Sequence, residues 1–209
     1  MKENQKVVIL HKGDIPDNLD LGDVVAVDSE TMGLKPQRDR LCLIQLSSGD
    51  GSAHLVQFLQ NQYNAPNLIN LLKNPAITKI FHYARFDVAA IKKYLETNTS
   101  SVFCTKIASK LVRTYTDKHG LKDLCKEFLD IDLSKQQQSS DWGAEIISEE
   151  QKLYAASDVL YLHRIKEILE IRLERENRAS IASACFKFVE TRSELDLIGF
   201  ENEDIFSHT

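Results

Sequence analysis

Two hydrophobic periods divide the chain. Through residue 58 the apolar residues fall in short runs bounded by turn signals, the mark of strands. Lys6 to His11 reads as a first strand, closed by Gly13-Asp14 and Pro16-Asp17. Val24-Val25-Ala26-Val27, mostly β-branched, reads as a buried strand that runs on into Asp28-Ser29-Glu30-Thr31. Met32-Gly33-Leu34-Lys35-Pro36 is a turn, and Leu41 to Leu46 is a central strand. Ser48-Gly49-Asp50-Gly51 folds the chain back into Ala53 to Phe58. This first part is expected to be a meander.

Beyond it the period lengthens to that of helices. Pro66 to Leu72 gathers Leu68, Leu71 and Leu72 on one face, and Arg85 to Leu95 turns Val88, Ile91 and Leu95 inward. Short strands at Ile77 to Phe81 and Val102 to Cys104 alternate with these helices, and further helices follow near Lys106 to Val112 and Leu121 to Phe128. Ser148-Glu149-Glu150-Gln151 fits a capping box, with acids at the positive helix end. It opens a long helix through about Leu173, with Leu162, Ile165, Leu169 and Leu173 as its core stripe. Ala179 to Val189 is a last helix. The tail from Glu190 carries more apolar side chains, among them Leu195, Leu197, Ile198 and Phe200, than a disordered segment would. A meander followed by alternating helices and strands means α/β with a mixed sheet. At 209 residues the expectation is a single domain over 1–209, with about 179–209 docked on the body or at an oligomer interface.

Composition narrows the setting. A 43% hydrophobic and 27% charged content is ordinary for a globular chain. No apolar stretch approaches the roughly 20 residues that span a bilayer, so no membrane role is expected. The first six residues lead into only four apolar ones, Val7 to Leu10, too few for a signal-peptide core, so a cytoplasmic setting is expected. Cys42, Cys104, Cys125 and Cys185 are far apart, which fits reduced, mostly buried thiols. A net charge of -5 argues against coating long duplex through a basic face, but not against a short nucleic acid held by metals.

The chemistry begins at Asp28 and Glu30. Side chains on a strand alternate, so both point to one side with Cα atoms roughly 7 Å apart, and both can reach one cation. Alone, such a pair also describes a strand fraying into a solvated turn. Asp87 follows the strand at 77–81, in the first turn of the next helix, where the dipole tolerates a negative charge. Tyr154 and Asp158, four apart on a helix, share a face, and Ala155, Ala156 and Ser157 keep that turn slim.

Together these segments resemble the ribonuclease D branch of the DEDD superfamily of 3′–5′ exonucleases, tyrosine type. The Asp-x-Glu strand, the Phe86-Asp87 pair and Tyr154-x-x-x-Asp158 occur in the family's order. The histidine type would carry His where this chain has Leu153. One departure is His82, where many members have Asn. The segments FCTKIASKL, RTYTDKHGLK, SKQQQSSDW and YAASDVLYLHR are similar to the short nanoRNase C group, so the likeness spans essentially the whole chain. The resemblance implies a ribonuclease H-like mixed sheet flanked by helices. It also implies hydrolysis of di- and oligoribonucleotides from the 3′ end to nucleoside 5′-monophosphates. The partners it implies are short single-stranded RNA and further copies of the chain, in a ring-like homo-octamer.

The same resemblance implies two divalent ions, Mg²⁺ or Mn²⁺, held by Asp28, Glu30, Asp87 and Asp158, with Asp28 bridging. Oxygen ligands suit such hard cations. Tyr154, with a reference pKa near 10, is a poor base and is expected to orient the attacking water. Candidate substrate contacts are Leu34, as a wedge between bases or else a turn residue folded into the core, His82, Lys106 on a helical face with Lys110 and Arg113, and Gln138, Ser139 and Trp142 in a polar loop, where Trp142 either stacks on a base or packs the loop onto the core. Trimming of longer RNA, or of DNA, uses the same acids. A metal-dead RNA-binding subunit would lack at least one of them.

Overall fold

The computed structural model describes residues 7–134, 137 and 140–208. Its centre is a six-stranded mixed sheet in the order β1-β4-β3-β2-β5-β6. The strands are β1 (Val7–Lys12), β2 (Val24–Thr31), β3 (Leu41–Ser47), β4 (Ser52–Gln57), β5 (Thr78–Phe81) and β6 (Val102–Cys104). β2, β3 and β4 form the antiparallel meander, and β5 and β6 extend it with parallel pairings. β1 departs from the expected meander. It pairs parallel with β4 at the far edge, not with β2. The connection from β1 to β2 explains this. It buries Ile15 and Leu21 in the core, and Asp14 accepts 2.9 Å bonds from the backbone N–H of Asn67 and Leu68. The segment is therefore tied across the sheet as a cap on the first helix, and cannot serve as a tight hairpin turn.

Among the described residues seven α-helices cover the two faces: α1 (Pro66–Lys73), α2 (Ala84–Leu95), α3 (Thr105–Val112), α4 (Leu121–Leu129), α5 (Glu149–Val159), α6 (Leu162–Arg175) and α7 (Ala179–Leu195). The strand alternation of β2 divides the core between them. Val25 and Val27 pack with Leu68, Leu72, Val88 and Ile91 of α1 and α2. Ala26 joins Ala156, Val159, Leu162, Ile165 and Leu169 of α5 and α6. Asp28 and Glu30 continue the Ala26 row, so they are delivered to the α5 side.

The long helix expected over 148–173 is two helices, broken at Leu160 and Tyr161. A straight helix of that length would run on the order of 40 Å, further than one line of contact on a twisted sheet. The break lets α5 lie across β2, β3 and β4 while α6 packs on α3 and β5. The capping box at its start is present, with the Ser148 hydroxyl accepting from the Gln151 N–H and Gln151 Oε1 accepting from the Ser148 N–H.

α7 runs past Val189 to Leu195 and ends in a wide π-helical turn, Asp196–Phe200. Asp196 accepts from Arg85 Nη2 of α2 at 2.7 Å and from Arg192 Nη2 at 2.8 Å. This ion pair fixes the helix that carries Asp87. Cys42, Cys104 and Cys125 are buried, Cys185 is half-buried, and all four are unpaired. Among the described residues no helix is long and apolar enough to cross a membrane.

Candidate active site

Three elements converge where β2 leaves the sheet. The pairing of β2 with β3 shifts register between Glu30 and Thr31, which splays the end of β2 from its neighbour. α5 crosses above it, and fully buried Ala155 and Ala156 allow the close approach that brings Asp158 down. One carboxylate oxygen from each of Asp28, Glu30 and Asp158 lies within 4.8 Å of the others. Asp87 reaches the same place from α2, 3% exposed, and accepts a 2.6 Å hydrogen bond from the Ser29 hydroxyl. The residue between the two strand acids therefore holds the third.

No cation pairs with these acids among the described residues. Desolvation raises all four pKa values, and neighbouring acids add to the rise at Asp28, Glu30 and Asp87. Desolvation pushes Asp28 well above its ordinary value, and the charges of Asp87, Asp158 and Glu30 push the same way. Glu30 rises to about 9, mainly by desolvation, then by Asp158 and Asp87. Desolvation raises Asp87 to about 7 against the opposing Ser29 hydrogen bond, and raises Asp158 to about 7. Tyr154 is pushed up by burial and by Asp158, Glu30 and Asp28, so its phenol keeps its proton. A crowd of oxygen donors without a counter-charge is a fitting ligand set for hard divalent cations.

The acids stand in a cleft of about 660 Å³. Leu34 projects at its lip, 87% exposed, so it is not folded into the core. Its turn needs Gly33, where a Cβ would meet the Asp39 carboxylate at 2.3 Å. That carboxylate accepts from the Lys35 N–H. His82 lines the cleft with Nδ1 2.9 Å from Thr105 Oγ1, whose hydroxyl donates to the Phe81 carbonyl, so Nδ1 is the ring donor. Burial and Lys106 lower its pKa to about 3, which keeps it neutral. Lys106 borders the cleft with Nζ 4.3 Å over the Tyr83 ring.

Other expectations need correction. Trp142 lines the cleft but is only 3% exposed, packed with Leu43, Leu55, Ile147 and Ala155, and so forms a wall and not an open stacking surface. Arg113 does not join Lys106 on a solvated face. It is 1% exposed and bonded to Glu127, Ser109 and the Lys118 carbonyl. Gln138 and Ser139 lie outside the described residues. Two contributors were missed from the sequence. Ser29 is legible only as the residue between two acids. Gln45, fully buried and opposite Asp28 in the β2–β3 register, shows as a single amide in an apolar run.

Comparison with known proteins gives consistent matches. A family model described as 3′–5′ exonuclease matches residues 14–174. A ribonuclease D from Gluconacetobacter diazotrophicus is 32% identical over 74% of this chain and 39% of its own length. The chain thus spans about two-fifths of the length of such curated relatives. Two solved structures of NrnC from Brucella melitensis match nearly end to end. The one bound to pGG is 56% identical with a TM-score of 0.93, covering 97% of this chain and 99% of that one. The one with bound Mg²⁺ is 55% identical with a TM-score of 0.92, covering 97% and 100%.

The crowded acids set a pH dependence. Acids with raised folded-state pKa values bind more protons folded than unfolded. Their favourable contribution is complete below pH ~4 and is lost as pH rises through about 7 for Asp87 and Asp158 and about 9 for Glu30. In chelator, the melting midpoint should fall from pH 5.5 to 8.5, roughly across these values. The fall should be shallower in Asp28→Asn, and the midpoint gain on adding Mg²⁺ should grow with pH. Thermal melts of both proteins check this. A wild-type slope no steeper than that of Asp28→Asn contradicts it.

Proposed function

This chain belongs to the 3′–5′ exonuclease family, and from that footing we propose that it hydrolyses short single-stranded RNA from the 3′ end to nucleoside 5′-monophosphates. The observation that carries the reading is the set of three carboxylates within 4.8 Å at the foot of a cleft, with Asp87 held beside them by Ser29. Asp28, Glu30 and Asp158 would hold one divalent ion, and Asp28 with Asp87 a second; the Brucella relative with bound Mg²⁺ supports the use of a divalent ion. Two such ions, when bound, would activate the attacking water and stabilise the leaving 3′ oxygen.

The chain's own residues supply the positioning. Tyr154 keeps its proton and orients the water through its hydroxyl, so it is not the base. Glu30 accepts a hydrogen bond from the terminal 3′-OH, which sets the polarity of attack. Leu34, at the lip, separates the last two bases, and Lys106 supplies a cation at the cleft border. His82 is neutral and shapes the wall without pairing with phosphate.

Short RNA is favoured by three facts. The cleft volume falls in the ~300–1,000 Å³ range typical of small-ligand sites. The chain carries 26 basic against 31 acidic side chains, too few to draw affinity from a long backbone. The Brucella relative was solved with pGG bound. The exposed apolar side chains Ile181, Phe188, Ile198 and Phe206 support a homo-oligomer.

Two measurements check the proposal. Initial rates from two to about twenty nucleotides, at two salt concentrations, should be at least as high for the dinucleotide, with kcat/KM depending weakly on salt. A rate that climbs with length and collapses with salt makes the enzyme a trimmer of longer RNA; equal rates on DNA remove the preference for RNA. Tyr154→Phe should lower kcat by roughly 10²–10⁴ with KM little changed. Wild-type turnover in that variant would reduce Tyr154 to packing.

A further inference from the structure

The floor of the site holds a side chain that the mechanism above does not use. Gln45 lies in β3, whose residues are all buried, and is itself 0% exposed. In the antiparallel pairing of β2 with β3 it stands directly opposite Asp28. Residues so opposed point to the same face, with Cβ atoms about 4.5–5.5 Å apart. The amide therefore lies beneath α5 and within reach of the Asp28 carboxylate. Neither Nε2 nor Oε1 has a hydrogen-bond partner. Among the described residues no other side chain leaves two buried polar atoms unpaired.

An unpaired amide is a worse core residue than the aliphatic side chains around it, Leu43, Ile44 and Leu46. Its place next to the acids supplies the reason for it. We infer that Gln45 is a positioning residue. Its Nε2–H donates to a free lone pair of an Asp28 oxygen when the acids hold divalent ions, which fixes the plane of the carboxylate toward them. The terminal amide torsion is broad, so this needs no movement of the strand. Among the described residues no side-chain donor is bonded to Asp28. Glu30, Asp87 and Asp158 accept only when ionised, and the Ser29 hydroxyl is committed to Asp87, leaving the Ser29 backbone N–H. Carboxylates that bind metal are generally oriented from behind in this way.

The inference rests on the divalent-ion reading of the acids, and the test separates the two. Gln45→Met keeps the length of the side chain and removes both hydrogen-bonding atoms. Calorimetry without substrate gives the Mg²⁺ and Mn²⁺ affinities, and thermal melts in chelator give the stability. Gln45→Met should melt in chelator at or above the wild-type midpoint, yet bind the ions roughly 10–100-fold more weakly. The metal concentration for half-maximal turnover should rise by the same factor. Wild-type metal affinity in Gln45→Met overturns the role. If Gln45→Met does not fold, Gln45→Leu is titrated instead, and failure of both to fold makes the amide structural and also overturns it. A wild-type chain that binds no divalent ion sinks the reading of the acids, and this inference with it.

Discussion

Repulsion among four crowded carboxylates, Asp87 buried and the other three half-buried, is the constraint on which the rest of the fold depends. Asp28, Glu30, Asp87 and Asp158 are each raised by desolvation, and no basic side chain pairs with them among the described residues. Like charges in a poorly solvated place separate, take up protons or bind cations. Separation is blocked by the scaffold. β2 is paired on both sides, α2 is tied through Arg85 to Asp196, and α5 is pressed onto the sheet through Ala155 and Ala156. The site is left to exchange protons for divalent ions, and the energy stored in that crowding drives the exchange.

That constraint also accounts for features that would otherwise be defects. The break at Leu160 and Tyr161 costs helical hydrogen bonds, but it lets α5 bring Asp158 to β2 while α6 covers the opposite end. Serine between two acids is a poor core residue, and here it holds Asp87. The unpaired Gln45 amide belongs to the same pattern.

Much of this was legible in the sequence because strand and helix periods place side chains on faces. Asp28 and Glu30 share a side by alternation, Tyr154 and Asp158 by helical spacing, and the Ser148 cap sets where that helix begins. What was not legible depends on long-range register. β1 forms a strand where its apolar run predicts one, but nothing local shows that it pairs with β4 across the sheet. The break between α5 and α6 follows from the twist of the sheet below, and carries no glycine or proline to announce it. Arg113 looks solvated beside Lys106 and Lys110, because its partner Glu127 is on another helix. Trp142 likewise takes its burial from β3, β4 and α5.

On the proposed function, the acids are expected to hold a pair of divalent ions. Anomalous diffraction from crystals grown with Mn²⁺ tests this most directly. Two peaks are expected about 3.5–4 Å apart, one in contact with Asp28, Glu30 and Asp158 and the other reached by Asp28 and Asp87. Crystals with ordered side chains at these four positions and no peak among them would contradict the account.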